Sequence, residues 1–157
     1  MLNNKKITTS KLIKEFPCTP IHNNTFSFAD ASPDFRRKLL DRSIFISEKS
    51  FSECWFSYYR SLKQRNSILK NNRISNIYTW NTKLSDEGIK LNNMRTNFFK
   101  KTKNEFYYLI DLIQPSSVFD FFDLIEIDFF QGWDETKNLN ELLQGNIDID
   151  LKRKSTT

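Results

Sequence analysis

Glycine and proline are scarce in this sequence, at 3 and 4 of 157 residues. So few chain reversers argue against a turn-rich β-sandwich and for long helices. Histidine occurs once, at His22, and cysteine twice, at Cys18 and Cys54. Those three residues have no metal-ligand spacing, so no zinc site is expected. A serine or cysteine nucleophile would have no base other than His22. No Gly-Lys-Ser/Thr occurs, and Gly88, Gly132 and Gly145 stand alone, so the chain has no loop to cradle a phosphate. No aliphatic run ends in the acidic pair that would hold Mg²⁺; Phe119-Asp120-Phe121-Phe122-Asp123 comes nearest. Asp134-Glu135 falls in an expected turn. Catalytic, cofactor-binding and metal residues are therefore all expected to be none for this chain alone. An apolar run of spanning length and a signal-peptide pattern are also missing, which implies a soluble cytoplasmic protein with reduced thiols.

What is present is aromatic and basic. Phe alone supplies 15 residues, so a core can form although only 38% of residues are apolar. The length suits one domain, or one lobe with pieces of another. Net charge is +5 but unevenly spread. From Cys54 to Asn104 there are eleven Lys/Arg and two acids; from Glu105 to Asp150 there are eleven acids and one Lys. A basic middle beside an acidic tail suits a surface for phosphate or for an acidic partner, or simply the wet faces of helices.

Periodicity predicts the elements. Lys6-Ile7-Thr8-Thr9 reads as the end of a strand, and Ser10 as the N-cap of a short helix through Phe16. Pro17 stops that helix, and Asn23-Asn24 marks a turn. Ser32-Pro33-Asp34 combines a capping hydroxyl, a first-turn proline and an acid, and starts a helix to about Ile46. A second long helix runs from about Ser50 to Asn71. Trp55, Tyr59, Leu62 and Leu69 form its apolar seam, while Arg60, Lys63, Ser67 and Lys70 form a basic stripe. A third runs from about Ser75 to Ile113, with Ile77, Leu84, Leu91 and Phe98 seven apart and a local break possible at Gly88. Two such helices in succession predict an antiparallel hairpin. Residues 124–130 alternate as a strand does, Gln131-Gly132-Trp133-Asp134 turns the chain, and a short helix follows from Asn138 to about Asp148. Lys152-Arg153-Lys154 is a basic end.

Several of these residues together resemble the RecF family of DNA replication and repair proteins. Ala31-Ser32-Pro33-Asp34-Phe35-Arg36-Arg37-Lys38-Leu39-Leu40-Asp41 is similar to that family's Gly-x-Pro-x-x-Arg-Arg-x-Phe-Leu-Asp. Phe45, Tyr59, Leu62, Lys63, Gln64-Arg65-Asn66 and Leu69 fit its arm helix. Trp80-Asn81-Thr82-Lys83-Leu84 resembles its Trp-Asp-x-x-Leu. Met94-Arg95, Phe98, Gly132-Trp133-Asp134-Glu135-Thr136, Leu142-Leu143 and Asp150 follow in the same order. Asn3-Asn4-Lys5-Lys6, Leu12-Ile13 and Phe16-Pro17 look like the end of the first half of the ATPase head. The sequence departs from the pattern before Pro33, where Ser32 or Ala31 stands for the family glycine, at Asn81, where the family has an acid, and at Asn23-Asn24.

The resemblance implies a mainly α fold with minor β: a helical-hairpin arm inserted in an ABC/SMC-like ATPase head of which only fragments are present. Residues 1–30 would end the first head lobe, 31–114 would be the arm, and 115–157 would be a strand and helix returning to the head. The phosphate loop would lie before residue 1 and the signature and catalytic acids after residue 157, so the sequence resembles a slice truncated at both ends.

RecF-like proteins bind ATP and Mg²⁺, and ATP closes a dimer of complete heads on DNA. This chain, lacking those motifs, is expected to bind neither alone. The family binds single- and double-stranded DNA, prefers gaps, and with RecO and RecR supports RecA loading and the SOS response. On that basis Arg60, Lys63 and Lys70 are candidate DNA-phosphate contacts. Arg36, Arg37 and Asp41 would be a structural set at the arm's base, and Gln64, Arg65 and Asn66 would bond across the hairpin. The alternatives are a stand-alone helical module that binds protein or DNA, or a nonfunctional gene remnant.

Overall fold

A computed structural model of the chain describes residues 6–18, 31–72, 74–113 and 125–157. Asn3 to Lys5, His22, the Asn23-Asn24 turn and the stretch from Gln114 to Leu124 lie outside the described residues. Among the described residues every regular element is a helix. The chain divides into two units, Met1–Ser52 and Glu53–Thr157, at the start of the third helix.

The first unit holds α1 (Thr9–Glu15) and α2 (Pro33–Ser47). Thr8, not Ser10, caps α1, its side chain accepting from Lys11 N at 3.3 Å. The expected strand at residues 6–9 is thus a cap and a first helical turn: a threonine hydroxyl that reaches an orphan N–H outweighs β propensity where no strand lies alongside. Ser32 caps α2 by accepting from Phe35 N at 3.3 Å, with Pro33 pre-set for the first turn. Ile44 and Phe51 are buried. Lys14 stands 4.5 Å over the Phe45 ring, and Arg42 Nη2 donates to Cys18 O at 2.7 Å.

The second unit is built on a hairpin. α3 (Phe51–Lys70) is followed two residues on by Asn72, whose φ of 53° is the left-handed conformation that keeps a helix from continuing. A 3₁₀ turn (Ile74–Asn76) leads into α4 (Ile77–Ile113), whose 37 residues extend about 55 Å. Two contacts fix an antiparallel register. Arg65 reaches Asn81, and Tyr58, seven residues back, faces Gly88, seven residues on. Ile77, Leu84 and Leu91 are buried, as their spacing predicts.

On α3 the seam differs from the expected one. Ser61, Arg65 and Leu69, at steps of four, are fully buried, whereas Tyr59 is exposed. The buried face is centred on an arginine, so apolar spacing alone placed the seam too far round the helix.

α4 passes unbroken through Gly88, where a break was possible. A Cβ there would stand 3.1 Å from Leu139 Cδ2 and 3.5 Å from Tyr58 Cε2. Glycine lets three helices meet. α5 (Leu139–Gly145), capped by Asn138, lies at this junction, and α6 (Ile147–Arg153) follows directly. One helix was expected here; Asn146, at φ −92° and ψ 4°, divides it into two.

Residues 125–130 form no strand among the described residues, which corrects the expected minor β. The alternation survives in burial: Ile125, Ile127 and Phe129 are half-buried, and Glu126, Asp128 and Phe130 exposed. A strand needs a ladder partner, and the described residues offer none. The segment instead lies antiparallel along α4. Tyr107 OH donates to Ile125 O at 3.3 Å, Lys103 Nζ to Asp128 at 2.8 Å, and Phe99 meets Phe129 at 5.7 Å between ring centroids. Asn92 Nδ2 donates to Gln131 Oε1 at 2.9 Å. Six extended residues cover about 20 Å, close to the roughly 22 Å that α4 rises between Asn92 and Tyr107.

Candidate functional site

Two features of the second unit carry the functional reading: a buried polar hub and an exposed basic stripe on the same helix. The hub is Arg65. Its side chain is fully buried, and four of its five N–H groups have protein acceptors. Nε donates to Asn81 Oδ1 at 2.7 Å, on α4. Nη1 donates to Asp150 Oδ2 at 2.7 Å, on α6, and to Thr156 Oγ1 at 2.8 Å. Nη2 donates to Leu143 O at 3.0 Å, near the end of α5.

The C-terminal turn makes this closure possible. Lys154 takes φ 55°, and Ser155 N bonds back to Asp150 O at 3.2 Å, the pattern that reverses a chain after a helix. The reversal returns Thr156 and Thr157 to the hub. Asn66 Oδ1 accepts from Thr156 N at 2.8 Å and from Thr156 Oγ1 at 2.7 Å. Asp150 Oδ1 accepts from Thr157 N at 2.9 Å and from the Thr157 hydroxyl. Each hydroxyl acts within its capacity, Thr156 Oγ1 accepting from Arg65 while donating to Asn66.

The Asn81 amide is oriented by charge, since its oxygen must face the guanidinium. Its Nδ2 is buried without a hydrogen-bond partner, which costs on the order of 1–3 kcal/mol. The asparagine that departs from the family's acidic residue therefore sits in the hub as a neutral acceptor. One carboxylate, Asp150, matches the one guanidinium.

The hub was missed as a site by apolar periodicity. Of Gln64, Arg65 and Asn66, expected to bond across the hairpin, Arg65 bonds to Asn81 on α4, Asn66 accepts from Thr156, and Gln64 is exposed.

Arg60, Lys63 and Lys70 are all exposed on α3, on the face turned away from the Ser61–Arg65–Leu69 seam. Phe56 and Tyr59 share that face and are 63% and 38% exposed. In the first unit, Asp41 is buried while Arg36 and Arg37 are exposed. Lys38 also pairs with Asp34 on α2 at 2.7 Å, which holds the Asp34 carboxyl below the ordinary aspartate range.

Among the described residues no three His, Cys, Asp or Glu gather as metal ligands. No Gly-Lys-Ser/Thr phosphate-loop motif occurs in the sequence. No helix among the described residues is long and apolar enough to cross a membrane.

The second unit is thus a long hairpin tied near its turn by buried polar groups, with a basic outer face on α3. The proteins it resembles in sequence are proteins of DNA replication and repair. No family model matches the chain, and no solved structure matches it significantly. Curated relatives do. The DNA replication and repair protein RecF of Nitrosococcus oceani is 31% identical over 146 residues, 90% of this chain and 39% of that protein. RecF of Coxiella burnetii is 33% identical over 144 residues, covering 91% and 39%. RecF of Francisella tularensis is 29% identical over 148 residues, covering 94% and 41%. This chain is thus homologous to RecF over about nine-tenths of its length and spans about two fifths of the length of those relatives.

Proposed function

We propose that this chain is the arm portion of a RecF-like protein and contacts DNA through the exposed basic face of α3. The observation that carries the reading is the placement of Arg60, Lys63 and Lys70, which share one solvent-facing side while Arg65 on the same helix is buried. Long cationic side chains on one rigid face track phosphates without reading base sequence. The homology to proteins named for DNA replication and repair supports this reading; in it the chain acts in the cytoplasm in the SOS response and binds single- and double-stranded DNA with a preference for gaps. RecO and RecR would be its partners in supporting RecA loading. In the same reading, residues 1–30, 31–114 and 115–157 are a head segment, the arm, and a segment returning to the head. Arg36, Arg37 and Asp41 are the arm-base set, and ATP and Mg²⁺ belong to the complete head.

A second reading is a stand-alone helical interaction module. It is favoured by the core and hub that the unit Glu53–Thr157 contains within itself.

Fluorescence anisotropy with gapped, single-stranded and duplex DNA, with and without ATP, tests the proposal. The expected result is binding to all three that ATP does not alter and that charge reversal of Arg60, Lys63 and Lys70 abolishes. Binding unchanged by that reversal would refute the α3 face as the contact. Protein binding without DNA binding would favour the module, and non-cooperative unfolding the remnant.

A further inference from the structure

Phe56, Tyr59, Arg60, Lys63, Ser67 and Lys70 are all exposed and fall within about 100° of the circumference of α3. The face is about 21 Å long from Phe56 to Lys70. Its N-terminal half is aromatic and its C-terminal half cationic. Phe56 is 63% exposed and Tyr59 38%, so both ring edges and faces are partly open to solvent.

These rings are held by their neighbours. Trp55, half-buried, meets Phe56 edge-on at 5.3 Å and Tyr59 at 4.1 Å with planes tilted 37°. Tyr58 braces Tyr59 edge-on at 5.2 Å. A braced ring loses little rotamer freedom on contact, so stacking on it is not offset by ordering.

We propose that this face binds single-stranded nucleic acid, with bases stacked on Phe56 and Tyr59 and the backbone led along Arg60, Lys63 and Lys70. The proposal rests on the reading of α3 as the DNA-contacting face, and it specifies the strand form and the stacking residues. A polyanion with accessible base faces matches both halves of the surface. A duplex matches only the cationic half, because its base faces are covered. Glu53, exposed one turn before Phe56, repels phosphate and directs the backbone toward Lys70.

The test compares a thymine oligonucleotide with a duplex of the same length on the full chain, for Phe56→Ala, Phe56→Trp, and Arg60, Lys63 and Lys70 all changed to Gln. Phe56 is exposed, so truncating it leaves folding intact. The expected result is that Phe56→Ala weakens single-strand binding roughly five- to a hundredfold and leaves duplex binding unchanged. Phe56→Trp restores the affinity, and the triple Gln variant weakens both forms. If Phe56→Ala weakens neither form, or both equally, the stacking platform is wrong while the phosphate reading stands. If the chain binds neither form, both readings fall.

Discussion

The Arg65 guanidinium and the Asp150 carboxylate meet at 2.7 Å with side chains 0% and 1% exposed, 85 positions apart in sequence. Burying either charge alone costs several kcal/mol, and their pairing offsets this only because most of the remaining donors and acceptors are also met. Asn81, Leu143 and Thr156 complete the arginine, and Thr157 completes the aspartate. Removing one member leaves the other charged, buried and alone. Arg65→Leu is expected to cost about 3–5 kcal/mol in urea unfolding, and Arg65→Lys nearly as much, because an ammonium lacks the fork that reaches four acceptors. The double variant Arg65→Leu with Asp150→Leu should recover part of the loss. A cost below about 1 kcal/mol for Arg65→Leu would mean that the hub does not hold the hairpin.

Gly88 sets the separation of α3, α4 and α5. Alanine there gains about 1 kcal/mol of helix propensity but brings a methyl to 3.1 Å from the tip of Leu139. That tip is flexible, so Gly88→Ala should leave stability within about 1 kcal/mol of the parent. Gly88→Leu cannot be absorbed in the same way and should cost about 2 kcal/mol or more. Equal denaturation midpoints for the two variants would contradict the close approach.

Lys154 occupies a left-handed position, at φ 55°, that suits glycine. Its side chain is exposed, so replacing it removes backbone strain with little loss of packing. Lys154→Gly should raise stability by roughly 0.5–1 kcal/mol, read as a higher thermal midpoint. A lower midpoint would show that the lysine side chain contributes more than the strain costs.

Cys54 is half-buried, and burial pushes its thiol above the ordinary range; Glu87 adds to this, while Lys90 and Arg95 oppose it. The thiolate is the reactive form, so in a Cys18→Ser background reaction with a disulfide reagent should rise only at a pH above that of a free thiol. Glu87→Gln removes a repelling charge and should move the profile to lower pH. A profile at or below the free-thiol value in the parent would contradict the burial described.

The Ile77, Leu84 and Leu91 seam was legible because apolar spacing and burial coincide there. So was the α2 start, where Ser32 and Pro33 act locally. The Arg65 hub was not legible from periodicity. Its side-chain acceptors lie 16, 85 and 91 residues away, and a lone arginine in an amphipathic pattern reads as a wet-face residue. The family pattern gave the one signal: it marked Gln-Arg-Asn as bonding across the hairpin, as Arg65 does to Asn81, but not the contact with Asp150. Residues 125–130 show the converse. Their alternation reported which side chains face inward, but a strand also requires a partner, and a period of two carries no information about one.

The salt dependence of single-strand binding tests the central claim most directly. If Arg60, Lys63 and Lys70 each displace a counterion from phosphate, their joint replacement by Gln should flatten the slope of log affinity against log salt concentration by about 2. Stability should not change, because all three side chains are exposed. An unchanged slope with full affinity would contradict the account, because the exposed basic face of α3 would then have no part in holding DNA.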